Sequence, residues 1–258
     1  MTSFFQPATQ PKCTICPGLL AQGNGNDNGG RGPLVPTVTC KHGESLDYYA
    51  IILDESGSME SHRDDTLGSL RQFHRAQQAI SSGKSKFIVR TFSDKGSVRF
   101  DGLLENKLDF AYNPTGGTAL YDAIGACVND TLNYLAKIAD PACKPKDIYI
   151  IIITDGQENS SRTYNKTLIK DMIAKQKEAD WKFIFLGANQ DAVLSGGDIG
   201  VERGACLSYG QNKHDTPMAM LNVSRGIERQ KMFGKGSQVA FTAEERATSN
   251  QYASASWW

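Results

Sequence analysis

Two unbroken apolar runs, Tyr48–Leu53 and Ile148–Ile153, constrain this chain more than any other feature. A strand with one face in water alternates apolar and polar residues, so a run without alternation must be covered on both faces. At six residues each, the runs fall far short of the roughly twenty needed to span a bilayer. They read as central strands of a parallel or mostly parallel sheet with helices on both sides. The intervening sequence agrees. Leu67, Leu70, Phe73, Gln77 and Ile80 have helical spacing, with Asp64 and Asp65 suited to the first turn. Lys86–Phe92 and Ser97–Leu103 flank Asp94-Lys95-Gly96 as a hairpin, which predicts one antiparallel edge strand. Leu120, Ile124, Cys127, Val128, Thr131, Leu135 and Ile138 mark a second helix. Asp147–Thr154 is a strand, Lys166–Glu178 a helix, Trp181–Leu186 a strand, Gly204–Tyr209 a weaker strand and Pro217–Gln230 a last helix. The predicted fold is a doubly wound α/β sheet.

Composition narrows the function. Lys and Arg total 28 and Asp and Glu also 28, giving no net charge. No basic cluster offsets that balance, which argues against a nucleic-acid binder. The first residues show no basic start followed by an apolar stretch, so no signal peptide is expected. The expected setting is cytoplasmic or virion-associated, and the sequons at Asn129, Asn159, Asn165 and Asn222 are read as chance. Six cysteines in such a chain suggest reduced thiols or metal ligands before disulfides.

Residues 1–46 form an arm of different character, with five of the nine prolines and the Gly/Asn run 23–32. That run has little apolar surface to bury and predicts a mobile loop. Cys13-Thr-Ile-Cys16 and Cys40-Lys-His42 flank it. Three thiolates and an imidazole suit a tetrahedral Zn²⁺ shell, although the C-x-H pair is tighter than usual. Free cysteines on an unstructured tail, or a redox pair, are the alternatives. Residues 47–231 carry the α/β pattern, and 232–258 form a C-terminal extension ending in Trp257-Trp258, which either folds back or docks into a partner. Cys127 reads as packing, His62, His74 and His214 as surface or satisfied residues, and Glu55 and Glu60 as ordinary exposed acids.

The chemistry lies in three segments. Asp54-Glu-Ser56-Gly-Ser58 ends the first buried strand, Thr115-Gly-Gly-Thr118-Ala-Leu120 opens the second helix, and Thr154-Asp155-Gly156 ends the later apolar strand. All three fall where an open α/β sheet builds its ligand crevice. They offer two carboxylates and three hydroxyls, hard donors suited to Mg²⁺ or Mn²⁺. Alternate residues of a tight loop can face one ion, Gly57 permits the bend, and Thr118 can serve as N-cap and ligand together. An EF-hand reading fails because Met59 stands where Gly is needed and Asp65 where a bidentate Glu is needed. A phosphatase-type Asp nucleophile would want a carboxylate at Ser56, and no nucleophile elbow or P-loop occurs.

This set resembles the metal-ion-dependent adhesion site of von Willebrand factor A domains, as in integrin inserted domains. The resemblance runs from about Asp47 to Arg229 and carries over Asp54, Ser56, Ser58, Thr118 and Asp155 without departure. It implies a Rossmann-like fold. It also implies that the serines hold the ion directly, that the carboxylates act mostly through water, and that a partner's acidic residue completes the shell. Leu120-Tyr-Asp-Ala-Ile124, Ile153–Asn159 and Trp181–Ala192 are similar to stand-alone, intracellular-type A domains of bacteria, phages and large viruses. The expected function is a non-enzymatic, Mg²⁺-dependent module that binds a protein partner through its Asp or Glu, without nucleic acid or membrane. The alternative is a structural subunit of a larger assembly, such as a capsid or tail. Metal-assisted hydrolysis is weakest, because the motif segments offer no general base.

Overall fold

The computed structural model describes residues 46–188, 191–210 and 214–249. Cys13, Cys16, Cys40 and His42 of the expected zinc set, and Trp257-Trp258, lie outside the described residues. The strands are β1 (Asp47–Asp54), β2 (Lys86–Phe92), β3 (Gly96–Leu103), β4 (Asp147–Thr154), β5 (Lys182–Ala188) and β6 (Cys206–Tyr209). They form one sheet in the order β3-β2-β1-β4-β5-β6. Among the described residues only β2–β3 is antiparallel; the other neighbours are parallel. The apolar runs are central strands as predicted and sit side by side, with Leu53 opposite Ile153, and every residue of β1 and β4 is buried.

Helices cover both faces because both faces of those strands are apolar. The helices are α1 (Arg63–Ile80), α2 (Leu120–Ala136), α3 (Lys166–Glu178), α4 (Ala192–Asp198), α5 (Asp215–Phe233) and α6 (Ala243–Ser249). On one face Tyr49, Ile51 and Leu53 meet Leu70 and Phe73 of α1 and Val223 and Ile227 of α5. On the other, Ala50 and Ile52 meet Ile124 and Val128 of α2 and Ile169 and Ile173 of α3. Val239 and Phe241, between α5 and α6, join the first core. No helix among the described residues is long and apolar enough to cross a membrane.

The amino ends of the strands bury charge in pairs, as low-dielectric surroundings demand. Asp47 stands opposite Asp147. Lys231 pairs with Asp47, and the fully buried Lys182 ammonium lies 3.0 Å from both Asp147 and Asp180. The Tyr49 and Tyr149 rings stack 5.1 Å apart, and the Lys231 ammonium lies over both at 6.0 Å from each ring centre.

Four expectations are corrected. Cys127 and Cys206 are buried free thiols, but Cys143 is disulfide-bonded, so the thiols are not reduced throughout. His74 is neither at the surface nor satisfied: it is buried against Phe87 and Phe100, its Nε2 lacks a hydrogen-bond partner among the described residues, and burial lowers its pKa. Glu55 is buried rather than an ordinary exposed acid. Thr118 is not the N-cap of α2; that position is Ala119, which makes no side-chain cap.

Ile151 lies at the centre of the sheet with no exposed surface. Ile151→Ala should cost about 2–5 kcal/mol, the scale for a large-to-small change in a close-packed core. Urea titration should show a lower midpoint at an unchanged slope.

Candidate functional site

The strand order reverses between β1 and β4: the chain leaves β1 toward β2 on one side and β4 toward β5 and β6 on the other. Such a switch point opens a crevice at the carboxyl ends of the two strands. Asp54 is the last residue of β1, and Asp155 follows the last residue of β4. Both predicted carboxylates therefore meet at one place.

Asp54 is fully buried and rigidly held. Its Oδ2 accepts from the Thr154 hydroxyl at 2.6 Å and its Oδ1 from the Ser56 N–H at 2.8 Å. The buried Tyr112 hydroxyl donates to the Asp54 carbonyl at 2.6 Å. From there a polar chain runs outward. Ser56 Oγ lies 3.1 Å from Ser58 Oγ, and the Ser58 hydroxyl donates to Asp155 Oδ1 at 2.6 Å. Four of the five predicted residues are thus linked by hydrogen bonds. The fifth, Thr118, is buried with its hydroxyl against Gly156, where a Cβ would come within 2.9 Å of Thr118 Oγ1. Asp54 and Ser56 are buried, Asp155 is half-buried and Ser58 is exposed, so the site opens toward solvent on one side.

The loops carrying these groups brace one another. Gly57 N–H donates to Gly116 O at 3.1 Å, Thr115 N–H to Glu55 O at 2.8 Å, and Ala119 N–H to Ser93 O at 2.8 Å. Gly116 has φ +80°, a left-handed conformation that its lack of a Cβ permits. Thr118 and Asn159 exchange two bonds, from Thr118 N–H to Asn159 Oδ1 at 2.9 Å and from Asn159 N–H to Thr118 O at 3.0 Å. Glu158 and Ser161 supply the cap that α2 lacks, accepting from Tyr121 N–H and Asp122 N–H. In return Asp122 accepts from the N–H groups of Arg162, Thr163 and Tyr164 at 2.8–2.9 Å.

Electrostatics distinguish the acids. Burial raises the Asp54 pKa, opposed by the Thr154 and Ser56 donors, and the nearby Asp155 raises it further. Among the described residues Asp54 forms no ion pair. The neighbouring Tyr209 hydroxyl is pushed up by burial and then by both carboxylates. Glu55 behaves oppositely: burial would raise it, but the Asn113 N–H, Thr91 and Arg99 together hold it low, with Arg99 Nη2 at 2.8 Å. Glu55 is therefore a neutralised brace, not a ligand.

No three His, Cys, Asp or Glu side chains gather as a metal-binding group among the described residues. The donor set at the crevice is instead hydroxyl-rich, two carboxylates with three hydroxyls. Its hard oxygens fit Mg²⁺ or Mn²⁺, and the buried Asp54 carboxylate, without an ion pair among the described residues, fits a cation supplied from outside. Sequence reading missed Thr154, Tyr112, Glu158 and Asp122. Thr154 alone carried a readable signal, as a hydroxyl residue between the second apolar run and Asp155.

No protein-family model matches the chain, and no curated protein is similar in sequence. Solved structures do match in shape. Proximal thread matrix protein 1 of the mussel byssus superposes with TM-score 0.55 at 15% identity, over 70% of this chain and 48% of that one. A second structure of it, with a zinc-occupied MIDAS motif, gives TM-score 0.50 at 14% identity over 70% and 46%. The pilus adhesin SpaC of Lactobacillus rhamnosus GG gives 0.54 at 14% over 72% and 30%. The vWF domain of the type V pili tip protein Mfa5 of Porphyromonas gingivalis gives 0.51 at 10% over 72% and 96%. This chain thus spans about half the length of the mussel structures. The likeness establishes the fold, which is that of von Willebrand factor A domains.

The Asp122 brace yields a prediction with a defined pH window. Burial would raise the Asp122 pKa, but the three N–H donors outweigh it and hold the carboxyl below its ordinary value. A depressed folded value adds stability that is fully present above the unfolded value, near ~3.9, and is lost as pH falls through the folded one. Asp122→Asn should lower stability by about 1 kcal/mol at neutral pH, a modest figure because the site is half-exposed. In denaturation curves the gap between variant and wild type should stay constant above about pH 5 and close as pH falls below the ordinary carboxyl value of ~3.9 and through the lower folded one.

Proposed function

We propose that this domain is a non-enzymatic protein-binding module whose crevice holds Mg²⁺ or Mn²⁺ and recognises an Asp or Glu of a partner. The observation that carries this reading is the Asp54 carboxylate, fully buried, raised by burial and without an ion pair among the described residues. Such a group calls for a cation, and the groups around it are oxygen donors. When bound, the ion supplies the positive charge and open coordination position that a partner carboxylate seeks. Ser56 and Ser58 would hold it from the loop after β1, Thr118 from the start of α2, and Asp54 and Asp155 from the two strand ends. Thr154 and the Ser56 N–H fix the Asp54 carboxylate in place, while exposed Ser58 and half-buried Asp155 leave the outer side to the partner.

Two carboxylates at most neutralise a divalent ion, so a third from a partner is attractive, and a charge-assisted contact at the centre of an interface sets specificity. The mussel structure with a zinc-occupied MIDAS motif supports a divalent ion in this fold, and the pilus adhesin and pili tip protein support a binding role. The thread matrix protein favours a second reading, a structural subunit of an assembly in which the fold is scaffold and the chain ends bind.

Pull-down from native lysate in Mg²⁺, repeated in EDTA and with Asp54→Ala, separates the two. The module reading expects capture in Mg²⁺ that disappears under either change, while circular dichroism stays native because the crevice is peripheral to the core. Calorimetry should show Mg²⁺ uptake by the wild type and at least about a tenfold loss of affinity in Asp54→Ala, as expected when a charged contact is removed. Capture that survives both EDTA and Asp54→Ala would put the scaffold reading first.

A further inference from the structure

A cavity of about 230 Å³ lies between α2 and the face of the β2–β3 hairpin, and no residue of the Asp54–Asp155 crevice lines it. Lys86, Ile88 and Arg90 alternate along β2, so all three face the same side of the sheet. That side is the one covered farther along by α2, where Ile88 packs against the second core. The strand therefore brings two cations onto a face that is otherwise apolar.

Both are paired, but in an uneven way. Lys86 contacts Asp101 and Arg90 contacts Asp130. The cationic side chains are 3% and 10% exposed, whereas their acids are 42% and 57% exposed. Positive charge thus forms the walls of the cavity, and the neutralising carboxylates stand at its rim. The Arg90 Nε–H is buried and has no hydrogen-bond partner among the described residues. Lys137 also lines the cavity, so three basic side chains face two acidic ones. The Tyr48 and Tyr134 rings, 5.2 Å apart, supply an apolar wall, and the Lys86 ammonium lies over Tyr134 at 5.5 Å from the ring centre.

The backbone is irregular at the same point. The β2–β3 register shifts between Val89 and Arg90, leaving Arg99 out of the pairing. Arg99 turns instead to Glu55 and Thr91. Bulges of this kind re-aim side chains beside functional sites.

A buried guanidinium N–H without an acceptor is a donor in want of one. An oxyanion entering from solvent could accept from it while Asp130 or Asp101 swings into water, where a carboxylate is well solvated. At about 230 Å³, the cavity is below the ~300–1,000 Å³ of drug-sized sites, so the ligand is small. We propose that this pocket binds a small ligand bearing a carboxylate or phosphate group, held by the Arg90 guanidinium and the Lys86 ammonium.

The test is ¹⁵N NMR of the full chain in EDTA, which silences the metal crevice, with inorganic phosphate or acetate added at constant ionic strength. A saturable shift of the Arg90 Nε–H resonance is expected. A response to phosphate alone assigns a phosphate-bearing ligand, and a response to acetate alone a carboxylate. Arg90→Gln should weaken binding by about tenfold or more, as loss of a charge-assisted hydrogen bond does. Asp130→Asn keeps both cations, removes the competing rim carboxylate and should tighten binding, which decides the matter if Arg90→Gln fails to fold. No saturable shift with either anion, wild-type affinity in folded Arg90→Gln, or unchanged or weaker affinity in Asp130→Asn would overturn the proposal.

Discussion

The pairing of β1 with β4 is the constraint on which the rest depends. Both strands are apolar on both faces, so neither can sit at an edge, and each needs a helix layer above and below. Placed side by side, they leave only opposite directions for the remaining strands, β2 and β3 on one side and β5 and β6 on the other. The reversal creates the crevice, and the residues that end the apolar runs are the ones delivered to it. A hydrophobic demand, worth roughly 25 cal/mol for each Å² removed from water, thus dictates where the carboxylates go. It also offsets the cost of keeping Asp54 out of water with no ion pair among the described residues.

The two ends of these strands treat acidic residues in opposite ways. At the amino ends Asp47 and Asp147 have lysine partners, Lys231 and Lys182, drawn from α5 and β5. Those charges are settled within the fold, as buried ions must be. At the carboxyl end Asp54 is equally buried, yet hydroxyls and a backbone N–H hold it. Glu55, one residue later, is neutralised by Arg99. Neighbouring acids of one loop are therefore divided between a structural brace and a group left for an outside cation. The bulge in β3 is what frees Arg99 for the first of these tasks.

The sequence made the elements with strong periodicity legible almost to the residue. The ranges read for β2, β4 and α3 are those observed: β4 is an uninterrupted apolar run, α3 has a clear helical stripe, and the Asp94-Lys95-Gly96 turn marks β2 as one arm of a hairpin. The weaker strand read over Gly204–Tyr209 is present as β6, but the short helices α4 and α6 were not read. α4 is seven residues long and contains Gly196 and Gly197, poor helix formers, and holds its place through Asp191 capping Val193 and Leu194. α6 carried a usable signal: Thr242 and Glu245 form a capping box, Thr242 Oγ1 accepting from Glu245 N–H and Glu245 Oε2 from Thr242 N–H. Within the site, residue types and spacing gave the five oxygen-bearing positions, but not the contacts between loops. Ala119, rather than Thr118, became the N-cap because Glu158 and Ser161 reach the first turn from another loop. Nothing local to α2 announces that.

Those contacts between loops explain why the three segments have meaning only together. The loop after β1 is held by the one before α2, through Gly57 N–H to Gly116 O and Thr115 N–H to Glu55 O. The loop before α2 is held by the one after β4, through the paired bonds of Thr118 and Asn159. The loop after β4 returns to the first through Ser58 and Asp155. Each loop is thus positioned by the other two, and the ring closes around the crevice. A D-x-S-x-S string alone would leave the Gly57 N–H and the Glu55 carbonyl without these partners, and no neighbouring backbone would fix its hydroxyls. The same string set at this switch point has its donors fixed before any ligand arrives. Preorganisation of that kind lowers the ordering cost of binding, and the sheet that imposes it is centred on two strands apolar on both faces.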